Sequence, residues 1–242
     1  MEQYSCLDTR SQSTVQSELV RMLDESAALA GLDRTAWTRQ PQGDLEFAVL
    51  PEATPEDVVL GTFIHHLAVR LGDHNARPAA QRVRLRMAVD TGVVADAALG
   101  HAGPAPVAVA RYVNAPQLRA VLATLTAADL AVMVSDRLYQ DVVRSGQRDL
   151  DPAQYVRAHV RVKEFGGYGW IRVPGHAPDD VRSAVAEAPK PKPTPLSDNG
   201  SPCWMPLSQH VHQGAAVGRD VVGGLTIGLP VSPPSAGSGP AR

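Results

Sequence analysis

Two acids stand where the chain changes character. Asp8 follows the apolar run at 4–7 and precedes Thr9, Arg10 and Ser11; Asp44 follows Gln42 and Gly43 and opens the apolar run at 45–50. Carboxylates at the ends of neighbouring strands, one beside a glycine, are a donor set that holds Mg²⁺ against a polyphosphate. Asp also caps helices and fills β-turns. Spacing alone leaves both readings open: a cation pair, or a cap at Asp8 and a turn at Asp44. Arg111, after the apolar residues 107–110, suits a phosphate or an ordinary surface carboxylate.

Other chemistry has little support. There is no Gly-x-Ser-x-Gly, His-Glu-x-x-His, Cys-x-x-Cys or phosphate-loop sequence. His65 and His66 would point about 100° apart on a helix and cannot share a metal. His210 and His212 sit in a Gly-rich stretch, a poor setting for zinc. The glycines at 166, 167 and 169 read as a turn, because no helix follows them. Lys+Arg 23 against Asp+Glu 25 gives a net charge of −2, with no global case for nucleic acid as a partner. No apolar run reaches the roughly 18 residues that span a bilayer. The first residues lack the basic and apolar regions of a secretory signal. Cys6 and Cys203 form no disulfide framework. The expectation is a cytoplasmic protein with no membrane partner.

The elements that must position these residues alternate between helix and strand. The run at 4–7 reads as a short buried strand. Val15, Leu19, Met22, Leu23, Ser26 and Ala30 recur at helical spacing and stop at Gly31. Residues 45–50 read as a strand closed by Pro51. Thr54 and Pro55 with the acids behind them start a helix that carries Val59, Phe63, Leu67 and Leu71. In 82–89, Val83, Leu85, Met87 and Val89 alternate with Arg82, Arg84 and Arg86, which predicts one buried side and one basic, solvated side. A run at 131–134 precedes Ser135 as N-cap of a helix with Leu138, Val142 and Val143. Residues 155–163 alternate again, and 170–173 close the series. This order predicts an α+β architecture with helices over one sheet.

Composition changes near residue 175. Seven prolines between Pro178 and Pro206 predict an extended, disordered linker over 176–207. An apolar, Gly-punctuated segment follows at 208–229, then a disordered tail at 230–242. Val211, Val217, Val221, Val222, Leu225 and Ile227 separated by glycines resemble short amyloid-type signalling motifs, which recruit an effector through backbone ladders. A loosely docked tail is the other reading, since Gly-rich segments fold poorly alone.

The ordered series over residues 1–175 resembles the class III nucleotidyl cyclase catalytic domain, in a divergent form found in actinobacterial signalling proteins. Tyr4-Ser5-Cys6-Leu7-Asp8 is similar to that family's first strand with its metal-binding Asp. Gln42-Gly43-Asp44 and the run behind it resemble the hairpin with the second metal Asp. Arg82-Val83-Arg84-Leu85-Arg86-Met87-Ala88-Val89-Asp90-Thr91-Gly92 is the most specific match; residues 103–116, 132–143 and 160–165 fall where later family segments lie. The resemblance implies a ferredoxin-like, cyclase-type sheet with helices packed on it, ahead of the Pro/Gly-rich C-terminal tail. It implies a homodimer, or a heterodimer with a cyclase-like chain, whose sites form between subunits. Asp8 and Asp44 would hold Mg²⁺ or Mn²⁺, Arg111 would stabilise the transition state, and Gly43, Gln40 and Lys163 would contact a purine nucleotide.

Several positions depart from the family pattern. Val107 stands where the ribose-orienting Asn belongs, Gln40 where a base-contacting Lys or Glu belongs, and Leu45 where a Gly follows the second Asp. Pro104 and Pro106 interrupt the segment that presents Arg111, and 101–107 holds no acid. Loss of an orienting donor commonly costs about 10²–10³-fold in rate. The departures imply a signalling protein with a degenerate cyclase-homology domain and little turnover. An active cyclase, or a scaffold whose C-terminal segment recruits a partner, are the alternatives.

Overall fold

Asp8 decides how the chain begins. In the computed structural model, which describes residues 4–98, 100–146, 150–189 and, as backbone, 225–230, Asp8 is the N-cap of helix α1 (Thr9–Leu29) and accepts the Ser11 N–H at 2.7 Å. The segment expected as a first strand is therefore a 3₁₀ turn, Tyr4–Cys6. Gln12 Nε2 donates to the Leu7 and Tyr4 carbonyls at 3.1 and 3.4 Å. Gln16 Nε2 donates to the Tyr4 hydroxyl at 2.6 Å. Those bonds wrap the segment onto α1, which leaves its backbone no strand to pair with.

The hairpin β1 (Thr38–Gln42) and β2 (Leu45–Val49) turns at Gly43, whose φ of +61° is the left-handed conformation that glycine adopts without strain. Helix α2 (Glu56–Val58) continues through a π-helical turn (Val59–Phe63) into α3 (Ile64–Asn75), burying the expected Val59, Phe63, Leu67 and Leu71 completely. Strand β3 (Leu85–Gly92) follows, then a small hairpin of β4 (Ala95–Ala97) and β5 (Gly100–Ala102). Helices α4 (Pro104–Val113) and α5 (Pro116–Thr124) lead to β6 (Leu130–Ser135). The Ser135 hydroxyl accepts the Leu138 N–H at 3.2 Å and caps α6 (Asp136–Leu138), as its place in the sequence predicts. Strands β7 (Val156–Val162) and β8 (Phe165–Arg172) pair antiparallel, and α7 (Pro178–Ala186) and β9 (Leu225–Pro230) complete the fold.

The architecture is α+β, built on a mixed seven-stranded sheet in the order β1-β2-β9-β3-β6-β8-β7. Strand β9 runs parallel between β2 and β3, with Ala48 and Val89 both opposite Ile227. The place beside β3 is thus held by a segment from the end of the chain. Helices cover both faces. On one, α1 and α3 pack Met22, Leu23, Ile64 and Leu67 against Leu85, Met87 and Val89; on the other, α4, α5 and α7 pack Val109, Leu118 and Val181 around Ala88 and Met133.

Two-sided cover corrects the expected basic face of residues 82–89. Arg86 is 2% exposed, and β3 is buried along its whole length. Arg84 donates to the carbonyls of Leu122, Leu125 and Ala128, tying down the open end of α5. Only Arg82 is exposed, with its guanidinium 2.9 Å from Asp129. Residues 178–186, expected as part of a linker, form α7 instead, which buries Val181 and Ala184 against α5. The remaining Pro-rich stretch 190–207, the segment at 208–224 and the tail at 231–242 lie outside the described residues. Among the described residues no helix is long and apolar enough to cross a membrane.

Candidate functional site

The β1–β2 hairpin stands over one flank of α4, and the register explains which side chains face that helix. Gln40 pairs with Phe47 and Gln42 with Leu45, so all four lie on one face of the two strands. Glu46, between Leu45 and Phe47, points the other way. It accepts from Arg34 Nη2 at 2.8 and 2.9 Å, with Asp24 3.2 Å from the same guanidinium. Burial pushes the Glu46 carboxyl up and the Arg34 guanidinium down, each opposed by the charge of the other. This pair fixes the hairpin from behind. From α1, Gln16 Nε2 donates to the Gly43 carbonyl at 2.9 Å and fixes its turn.

Between hairpin and helix lies a cavity of about 190 Å³. Leu45, Phe47, Pro106, Ala110 and Val113 give it apolar walls, and Gln40, Gln42, His101 and Asn114 give it polar ones. Pro106, Ala110 and Val113 are one stripe of α4 at i, i+4 and i+7. His101, on β5, is the most enclosed of the polar groups: its side chain is 6% exposed and its ring centroid lies 5.7 Å from that of Phe47. Asp96, opposite His101 in the β4–β5 pair, places Oδ1 3.4 Å from Nδ1. Among the described residues neither Nδ1 nor Nε2 has a hydrogen-bond partner, and both are closed to solvent. A buried polar atom left so costs about 1–3 kcal/mol. Gly100 lets β5 approach the hairpin this closely, because a Cβ there would lie 1.8 Å from Gln40 Nε2, and its φ of +114° also favours glycine.

A second cavity, of about 490 Å³, opens at the carboxyl ends of β3 and β6, lined by Asp90, Thr91, Val107, Ala108, Arg137 and Phe165. Burial pushes the Asp90 carboxyl up, opposed by the Ser135 hydroxyl and by the Thr91 N–H at 2.9 Å. Val107 is 52% exposed and offers no hydrogen bond. Arg111, one turn further along α4, lies on the flank of Val107 and not on that of Ala110 and Val113.

The residues singled out from the sequence are dispersed within one chain. Asp8 is exposed and engaged as a helix cap, with the Ser11 N–H and hydroxyl holding its carboxyl below the usual range. Asp44 is buried at the start of β2. Helix α1 meets the Gly43 turn at Gln16, about 12 Å along the axis from Asp8 at 1.5 Å per residue. Among the described residues no group of three or more His, Cys, Asp or Glu stands together as a metal site. Gln40 lines the smaller cavity, on the sheet edge formed by β1. Lys163, with a φ of +56°, sits in the β7–β8 turn at the opposite edge, six strand spacings or roughly 29 Å away.

His101, Asn114, Phe47 and Asp90 carry no signal of a site in the sequence. His101 belongs to a three-residue strand too short to show periodicity, and its role follows from what Gly100 lets approach. No family model, curated protein or solved structure matches this chain.

Proposed function

We propose that this chain is a signalling protein on a degenerate nucleotidyl cyclase-homology domain, which dimerises and binds a purine nucleotide with little turnover. The observation that carries the reading is the cavity under the β1–β2 hairpin. Gln40, at the position where the resemblance puts a base contact, lines it together with His101 and with Asn114 at the end of α4. The low turnover rests on three features: Val107 cannot orient a ribose, prolines remove N–H donors at positions 104 and 106, and Asp8 is engaged in capping α1. As they stand, Asp8 and Asp44 do not fit a shared Mg²⁺ or Mn²⁺ site, and the reading routes no step through a metal. Arg111, on the other flank of α4, and Lys163, at the far sheet edge, would serve a site completed by a second subunit.

Calorimetric titration of the full chain with ATP and GTP, with and without Mn²⁺, tests this. Binding to at least one nucleotide is expected. Cyclic-nucleotide production should lie about 10²–10³-fold or more below what an intact set of orienting donors supports. Absence of binding to both nucleotides, or robust turnover by the purified chain, would overturn the reading.

A second reading makes the C-terminal segment the recruiting element. In this structure residues 225–230 of that segment lie inside the sheet, with both backbone edges paired to β2 and β3. A partner that captures this strand would have to draw it from the middle of the sheet.

A further inference from the structure

We propose that the outer face of the β7–β8 hairpin is a platform for single-stranded nucleic acid, where bases stack beside Tyr168 while Arg157, Arg161 and Lys163 hold phosphates. The platform lies at the sheet edge opposite the β1–β2 hairpin, and it does not depend on the nucleotide reading above. The net charge of −2 hides a local excess of basic side chains on this face.

Alternation builds this face. Val156, Ala158 and Val160 point into the second core, so Arg157, His159 and Arg161 point away from it and are exposed. Cross-strand partners share a face, which puts Trp170 beside Arg157, Tyr168 beside His159 and Gly166 beside Arg161. The two strands carry Arg157, Arg161 and Arg172 and no acid. Among the described residues none of these three arginines is in a salt bridge. Lys163, exposed in the turn with Glu164 after it, adds a further cation at the tip.

Tyr168 is the exposed aromatic of the face, at 43%. The Arg157 guanidinium lies 3.7 Å from the centre of its ring and 5.9 Å from that of Trp170. Two residues from Tyr168 in the other direction along β8 stands Gly166, where a Cβ would meet nothing within 4 Å. A planar base laid over that bare backbone has the Tyr168 ring beside it and Arg161 across the ladder. Arg157 and Arg161 stand four residues apart, about 13 Å along the strand, which gives room for about two or three bases. The platform is fixed from behind. Tyr112 Oη donates to the Tyr168 carbonyl at 3.0 Å, and Gln117 Nε2 donates to the His159 carbonyl at 2.6 Å. Trp170 stacks on Tyr139 with centroids 3.6 Å apart, and its Nε1 donates to Asp136 at 2.8 Å. Single strands need this combination, cations for phosphates and an aromatic face for unstacked bases. An acidic peptide would satisfy the arginines and leave the ring and the glycine floor unused. A duplex keeps its bases stacked inside and offers phosphates alone.

Fluorescence anisotropy of the full chain with labelled oligo(U) and oligo(dT) of about 12 nucleotides tests the platform, with a duplex of the same length and polyglutamate for comparison. At least one of the single strands should bind, and more tightly than either comparison polymer; which of them binds better tells RNA from DNA. Tyr168→Ala should weaken binding about tenfold, as loss of one base–aromatic stack does, and Tyr168→Phe should retain it. Arg161→Gln should flatten the slope of log K against log salt by about 0.7, one phosphate contact on a single strand. Should Tyr168→Ala fail to fold, the wild-type chain decides: an oligonucleotide carrying 4-thiouridine, crosslinked under ultraviolet light, should attach within residues 157–170. Several outcomes would sink the proposal: no binding of single strands, unchanged affinity in a folded Tyr168→Ala protein, or crosslinks only outside the hairpin. A duplex that binds as tightly would reduce the face to a phosphate surface, and polyglutamate that binds as tightly would assign it to an acidic protein; either overturns the platform.

Discussion

Asp8 and Asp90 are both aspartates at the end of an apolar run, and their surroundings push them in opposite directions. At Asp8 the Ser11 N–H stabilises the charged form, so the carboxyl titrates below its ordinary value. Its contribution to folding is present above that ordinary value and is lost as pH falls through the lowered one. Asp8→Ala should lower Tm slightly at neutral pH, and Asp8→Asn, which still accepts from Ser11, should restore it. Thermal scans of both variants check this; nucleotide binding lost in Asp8→Asn with Tm unchanged would instead favour the ligand role implied by the family resemblance. At Asp90 burial dominates and raises the value from 3.8. Stability from this group is fully present below about 3.8 and is lost as pH rises through the raised value. Asp90→Asn keeps an acceptor for the Thr91 N–H and cannot ionise. Its Tm relative to wild type should therefore rise between pH 4 and pH 8. A difference that stays constant across that range would remove the argument.

Among the elements, β9 has the largest consequence. It fills the gap between β2 and β3, two strands whose facing edges otherwise have no partner among the described strands. Removing it would leave a row of backbone groups unpaired inside the molecule, each costing about 1–3 kcal/mol. Several such groups together rival the 5–15 kcal/mol that holds a domain folded. A chain ending at Pro189 keeps α7 but lacks β9, and should lose its sharp thermal transition and bind ANS. An unchanged Tm in that truncation would show that β9 does not hold the sheet together. Truncation at residue 175, the end of the domain expected from composition, would also remove Val181 and Ala184 from the second core. The Pro-rich composition reads 178–186 as linker, whereas Pro178 opens a helix at its first position, where proline is tolerated.

At the scale of the whole molecule, local periodicity determined a good deal. The spacing of Val15, Leu19, Met22 and Leu23, and of Phe63, Leu67 and Leu71, determined two helices and their buried faces. Alternation determined β7, and Ser135 determined where α6 begins. Side-chain direction along a single element is a local property, and the sequence records it. Tertiary structure alone decided what each face meets. Arg84 and Arg86 alternate as a solvated strand would, yet Arg86 is buried in a sheet covered by helices on both faces and Arg84 is half-buried against the carbonyls at the end of α5. The apolar run at 4–7 has a strand's composition, yet a cap at Asp8 and the amides of Gln12 and Gln16 fold it onto α1, while β9 takes a central strand position from the far end of the chain. The cavity at His101 depends on three separate segments, the hairpin, β5 and α4, and the Gln40 amide fills the space that a side chain at Gly100 would take. Chain entropy opposes bringing distant segments together, and only the sum of many contacts overcomes it. Which segments meet is therefore set by the packing of the whole molecule and not by the pattern of any one of them.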